Sequence, residues 1–157
     1  MSIIRKARIS DVMEMRNLIN SYAAEGCMLP RSLDSLYSKI RDFHVCEEDG
    51  HVIGCCGVHP DWEDLAEVVS LAVARPYTKQ GIATKLLEAC TQDALEIGIN
   101  RLFVLTSIPE FFDKQGYTRV TRDDIPWKVW ADCVNCPQYP DCRSASLIRV
   151  INTKEKQ

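Results

Sequence analysis

No apolar run in this chain approaches the roughly 20 residues that a membrane-spanning helix needs, so no membrane partner is expected. The opening stretch MSIIRKARISD has no apolar core of the kind that export signals carry, which points to a cytoplasmic protein. An excess of positive charge is missing as well. With a net charge of −3, the chain is not expected to bind nucleic acid. Repeats, low-complexity tracts and linkers are also absent from the 157 residues. Residues 1–152 are therefore expected to form one domain, with a polar tail over 153–157. A hydrophobic share of 46% and a charged share of 26% exclude a disordered chain.

Cysteine, by contrast, is plentiful, with eight in all. Cys27, Cys46, Cys55, Cys56 and Cys90 are scattered among apolar neighbours, where a free thiol acts as a small buried hydrophobe. Cys133, Cys136 and Cys142 cluster as a Cys-x2-Cys pair and a third thiol, one ligand short of a structural zinc site. His44, His51 or His59 would complete it only if folding brought one close. Free thiols stiffening a Pro-rich loop are the simpler reading, and no metal is expected. An export-type disulfide framework is disfavoured by the lack of a signal.

The chain is organised around residues 63–89, EDLAEVVSLAVARPYTKQGIATKLLEA. Residues 65–73 read as a buried strand whose interior carries one charge, Glu67. Pro76 breaks the run, and helical periodicity begins at Ile82. Upstream, the pattern predicts a strand over 3–9 and a helix over 11–23 capped by Ser10. In that helix Val12, Met15, Leu18, Ile19 and Tyr22 share a face. Ser32 is the expected cap of a second helix, with Leu33, Leu36, Tyr37 and Ile40 on one side. Strands are expected over 43–47 and 51–59, joined by an Asp49-Gly50 hairpin turn. Downstream, the main helix should run to residue 97 with Leu86, Leu87, Cys90, Ala94 and Ile97 inward, stopped by Gly98. A buried strand over 101–107 makes a right-handed parallel crossover with the key strand. A short helix over 110–115, strands over 117–120 and 146–151, and an irregular excursion over 121–143 complete an α/β pattern.

Four blocks carry a family resemblance. They are Leu29-Pro30-Arg31-Ser32-Leu33, Ile40-Arg41-Asp42-Phe43, Trp62-Glu63-Asp64-Leu65-Ala66-Glu67, and Leu105-Thr106 followed by the phrase EFFDKQGY. In this order, around a strand–turn–helix, they resemble the GNAT family of N-acetyltransferases over essentially the whole chain. Within that family the likeness is to the N-acetylglutamate synthases in their short, stand-alone form. The resemblance implies a mixed central sheet with helices on both faces, and acetyl-CoA as co-substrate. It also implies transfer of acetyl to the α-amine of L-glutamate or a similar small molecule, as in arginine biosynthesis. Without the kinase-like domain of the long synthases, arginine inhibition through that domain is not expected. Edge strands of this fold often pair, which makes a homodimer plausible.

The family's acetyl-CoA signature falls on Thr78, Lys79, Gln80, Gly81, Ile82, Ala83 and Thr84, with Gly81 and Ala83 matching and Thr78 standing where Gln or Arg is usual. The substitution is tolerable because backbone N–H groups at a helix start can hold a phosphate whatever the side chain. Leu71, Ala72 and Val73 lie where the family's strand bulges and offers N–H groups to the thioester oxygen. Glu67 matches the family's catalytic glutamate; as a residue, it reads either as a base on a buried strand or as a structural carboxylate. Arg31, Thr106 and Arg143 match positions that meet the substrate, and arginine suits a carboxylate because it binds in a fork. Phe112 occupies the place where many relatives carry a tyrosine acid, and no general acid is assigned. A different amine acceptor and a non-catalytic acetyl-CoA-binding regulator remain the alternatives.

Overall fold

A computed structural model describes residues 2–121 and 145–151. Arg143, Cys133, Cys136, Cys142 and the 153–157 tail lie outside the described residues. The first strand, β1 (Ser2–Lys6), leads through a short 3-10 turn into helix α1 (Val12–Ala23). Helix α2 (Leu33–Ser38) follows, then the strands β2 (Phe43–Glu48), β3 (His51–Trp62) and β4 (Leu65–Val73). Helix α3 (Ile82–Glu96) connects β4 to β5 (Arg101–Thr106). Helix α4 (Pro109–Lys114), β6 (Thr118–Val120) and β7 (Ala145–Val150) complete the described elements. The seven strands form one sheet in the order β1-β2-β3-β4-β5-β7-β6. Only β4 and β5 run parallel, and the rest pair antiparallel, so the sheet is mixed as expected.

Both faces of the sheet are covered, because both faces of its inner strands are apolar. On one side α3 lays Ile82, Leu86, Leu87, Cys90 and Ala94 against Cys56, Val58, Ala66 and Val68. On the other, Val12, Met15 and Ile19 of α1 and Leu36 of α2 pack on Phe43, Val45, Cys55 and Ala72. The Asp49-Gly50 turn joins β2 to β3 with both residues at positive φ, 51° and 82°, which is the twist a tight hairpin needs. No helix among the described residues is long and apolar enough to cross a membrane.

Several local expectations need correcting. β1 stops at Lys6, not residue 9, because the chain turns at Ala7 to start the 3-10 segment Ile9–Asp11. Ser10 does not cap α1. The N-terminal position falls to Asp11, whose carboxylate accepts from the Arg8 N–H at 2.7 Å and from Arg5 through two bonds of 2.8 and 2.9 Å. Ile97 is 60% exposed, since the helix ends one residue earlier and Ile97 turns outward with the C-cap. Tyr37 is exposed rather than packed with Leu36. Cys46, Cys55, Cys56 and Cys90 are buried free thiols as anticipated, but Cys27 is exposed.

Gly57 shows how tightly β3 and its neighbours fit. A Cβ there would stand 2.9 Å from both Phe43 Cε2 and Val69 Cγ2, and Phe43 is fully buried and has no room to retreat. Gly57→Ala is therefore expected to lower unfolding free energy by about 1–3 kcal/mol. A reduced urea midpoint at unchanged m-value would show it, and an unshifted midpoint would refute the packing argument.

Candidate active site

The site grows from an irregularity in β4. From Leu65 to Val68 the strand pairs with β5 in register, Leu65 to Arg101 and Val68 to Val104, and there the parallel ladder ends. On its other edge the register with β3 slips: Cys55 faces Ala72, and Gly57 faces Val69. Ser70 and Leu71 thus oppose the single residue Cys56, which is a β-bulge. Ser70 takes a left-handed conformation, φ 53°, that a residue with a Cβ seldom adopts. The bulge falls beside Leu71, where the family resemblance placed it. Beyond Val68, β4 and β5 diverge, and among the described residues no strand pairs with Val69–Val73 on the β5 side. Backbone groups of Leu71, Ala72 and Val73 therefore line the opening, while the Ala72 side chain packs back against α1.

Two contacts hold the bulge, and a third ties down the strand end. Arg31 Nε donates to Ser70 Oγ at 2.8 Å. The Cys55 thiol donates to the Ser70 carbonyl at 3.4 Å. Further along, the Tyr22 hydroxyl donates to the Val73 carbonyl at 2.5 Å, tying α1 to the strand end. Arg31 is itself positioned by its backbone N–H on Asn20 Oδ1 at 3.1 Å, by Nη1 on Ser35 Oγ at 3.0 Å, and by stacking over Phe43 at 5.5 Å. Ser32, one residue on, caps α2 by accepting from the Ser35 N–H, as the sequence indicated. The loop before Arg31 is also fastened to the end of β5, where Ser107 Oγ donates to the Cys27 carbonyl at 3.0 Å. Arg31 therefore lies over the opening, not in free solvent.

Glu67 is half-buried, three residues before the bulge, on the sheet face that carries α1 and α2. Burial pulls the Arg31 guanidinium below its ordinary value, while the negative charges of Glu67 and Asp42 act in the opposite direction. Glu67 and Asp42 are thus both close enough to act on Arg31, although the three are spread over 37 positions of sequence. Directly across from Glu67 on β3 stands His59, whose Nδ1 is 2.6 Å from Asp42 Oδ2. The sequence reading named Asp42 and His59 without giving either a role at this site. The sequence carries no signal for the juxtaposition, because it depends on the β3–β4 register.

Thr106 is buried at the end of β5, and its hydroxyl accepts the Ile108 N–H at 3.0 Å, which orients the start of α4. Phe112 is buried and meets Phe111 and Tyr117 edge-on at 5.1 and 5.2 Å. At the other end of the opening, the turn before α3 places Lys79 at φ 65° and Gly81 at φ 83°. Among the described residues no side chain caps α3, so its first N–H groups form a concave cradle suited to an anion. Thr78, Lys79, Gln80 and Gly81 are exposed around it, and Ala83 adds no bulk. Thr78 Oγ1 donates to the Arg75 carbonyl and Thr84 Oγ1 accepts from Gln115 Nε2, so both hydroxyls also serve the fold. Ile82 points into the core.

The acetyltransferase (GNAT) family model matches residues 9–117. The chain belongs to this family. An uncharacterized N-acetyltransferase from Chlorobaculum tepidum is 36% identical over 148 residues, 94% of this chain and 96% of that protein. An amino-acid acetyltransferase from Mycobacterium tuberculosis is 35% identical over 87% of this chain and 79% of its own length. Among solved structures, N-acetylglutamate synthase from Neisseria gonorrhoeae, complexed with coenzyme A and N-acetylglutamate, superposes with a TM-score of 0.89 at 28% identity. That match covers 97% of this chain and 35% of the synthase, so the GNAT chain described here spans about a third of that protein.

A valine at position 81 has open space around its Cβ, so conformation alone sets its cost. Gly81→Val is expected to lose about 1–2 kcal/mol of stability, and Gly81→Asn distinctly less, because Asn tolerates the left-handed region. Urea denaturation of the two variants side by side measures this. Equal losses would mean that the turn does not need positive φ.

Proposed function

We propose that this chain moves acetyl from acetyl-CoA to the α-amine of an amino acid, with L-glutamate the first candidate. The carrying observation is Arg31, a half-buried guanidinium fastened to the bulge residue Ser70 and within electrostatic reach of Glu67. A carboxylate gripped by Arg31 sets the attached α-amine beside a carboxylate base, and this is the geometry an amino-acid acceptor requires. In this reading the turn at Thr78–Thr84 holds the pyrophosphate on the open N–H groups of α3, with Lys79 adding charge. Leu71 and Val73 direct backbone N–H groups at the thioester oxygen, where negative charge develops as the amine attacks. Glu67 takes a proton from the substrate ammonium, directly or through one water, because the protonated amine has no lone pair to attack with.

Donor arithmetic bears on the acceptor. A guanidinium has five N–H donors, and Ser70 and Ser35 engage two of them, leaving enough for one carboxylate in a fork. The second carboxylate of glutamate needs another cation, the role proposed for Arg143. Thr106 lines the acceptor end of β5. An amino acid with a single carboxylate satisfies Arg31 alone and is the alternative acceptor.

An amino-acid panel with acetyl-CoA, read by thiol release, should give its highest kcat/KM with L-glutamate. Preference for lysine or a polyamine would overturn the acceptor assignment, and no release above background would overturn the enzyme. Glu67→Gln should lower kcat about 10²–10⁴-fold with the KM for acetyl-CoA unchanged, and undiminished turnover would remove the base. Arg31→Ala, which strips a charge-assisted bond, should raise the glutamate KM by roughly tenfold or more, whereas an unaltered KM would place the carboxylate elsewhere.

A further inference from the structure

The β3–β4 register puts a second titratable group beside Glu67. His59 and Glu67 are direct antiparallel partners, so their Cβ atoms stand roughly 5 Å apart on one face of the sheet. The other ring contact is settled by chemistry. A carboxylate can only accept, so the 2.6 Å contact to Asp42 Oδ2 puts the neutral ring's proton on Nδ1 and leaves Nε2 with a free lone pair. The His59 side chain is 39% exposed and that of Asp42 21%, so the ring spans from the half-buried site to solvent while its anchor is the more enclosed partner. Among the described residues, the charged groups gathered here are Asp42 on the 3-10 turn before β2, Glu67 on β4 and Arg31 ahead of α2.

We propose that Asp42 and His59 discharge Glu67, carrying to solvent the proton that the base removes from the acceptor amine. The inference rests on the reading of Glu67 as base, and it concerns what happens to that base after each use. Proton balance requires such a step. The acceptor ammonium loses two protons as the N–C bond forms and the C–S bond breaks, and the departing thiolate takes back one. One proton per turnover must therefore leave the site. Glu67 receives it and passes it to His59 Nε2; Asp42 balances the resulting imidazolium, and His59 releases the proton to water, which restores both groups. His59 acts through Glu67 and touches neither the thioester nor the substrate carboxylate, so it is a positioning and relay residue.

The test is steady-state turnover of L-glutamate and acetyl-CoA by the full chain, with and without added imidazole, for His59→Gln, Asp42→Asn and Glu67→Gln. His59→Gln is expected to lower kcat about ten- to a hundredfold, leave both KM values within threefold, and regain turnover in proportion to imidazole concentration. Asp42→Asn removes no bulk, so it answers the question if the His59 variant does not fold; it should show a smaller loss with the same response to imidazole. A slowed His59 variant that ignores imidazole, or one as fast as the parent, overturns the relay. When Glu67→Gln is inactive, that result leaves the base reading standing. Full activity in Glu67→Gln overturns base and relay together.

Discussion

The arrangement depends on one residue too many in β4. Without Ser70, the strand would continue its ladders with β3 and β5, and the sheet would have no opening at its centre. With the bulge, β4 holds its neighbours on both sides as far as Val68 and then departs from β5. A left-handed serine costs on the order of 1–2 kcal/mol, and nothing within the strand recovers that. The recovery comes from outside, through Arg31 on the Ser70 hydroxyl and Cys55 on its carbonyl. Each such bond contributes about 1 kcal/mol, enough together to offset the strain. The residue proposed to hold a substrate carboxylate is therefore also one that holds the bulge. Strain of this kind persists where the surroundings over-determine it, and such places cluster at sites of chemistry.

The same coupling organises the charges. Arg31, Glu67 and Asp42 come from a loop, a strand and a 3-10 turn, and none could stand half-buried alone without cost. Arg31 loses solvation and regains part of it from two carboxylates, while Asp42 is further engaged by His59. Two carboxylates and one guanidinium leave this end of the cleft with an excess of negative charge, which favours an ammonium. At the far end of the cleft the requirement is the reverse: the uncapped start of α3 and the exposed Lys79 favour an anion. An acceptor amine and an anionic donor can thus be drawn to opposite ends of one opening.

How much of this could be read beforehand varies with the kind of information. β4 was placed to the residue from its β-branched run, and the Asp49-Gly50 turn from its dipeptide, because both signals are local. Glu67 stands out as the lone charge on an apolar strand as well as through the family resemblance, Arg31 through the resemblance alone, and in the fold they lie within electrostatic reach of each other. The bulge was expected beside Leu71 only by that resemblance. Ser70 is neither Gly nor Asn, and its conformation is imposed by partners that are remote in sequence. For the same reason nothing in the sequence paired His59 with Glu67, since a one-residue slip in register would send them to opposite faces. Ser10 misleads because the chain is already wound there: it lies inside the 3-10 turn Ile9–Asp11 that runs on into α1, and Asp11, held by Arg5, takes the first position without a side-chain cap bond.

The proton inventory explains why the site is asymmetric. A phenol at Tyr117 would be the nearest analogue of a general acid along this stretch, given phenylalanine at 112. Its hydroxyl is buried with no hydrogen-bond partner among the described residues, on the sheet face that carries α3, and burial pushes its pKa well above the usual phenol value. Such a group keeps its proton more tightly than a free tyrosine and is a poor donor. A thiol ionises near pH 8.5, so a thiolate leaves readily without a dedicated acid and takes back one of the two protons that the amine gives up. An ammonium cannot attack at all until it is deprotonated, and its proton starts inside the cleft. The proposed reaction therefore needs a base and an exit but can omit an acid, and the placement of the polar residues is consistent with that demand. Glu67, His59 and Asp42 gather on one face, and the opposite face is left to aromatic packing.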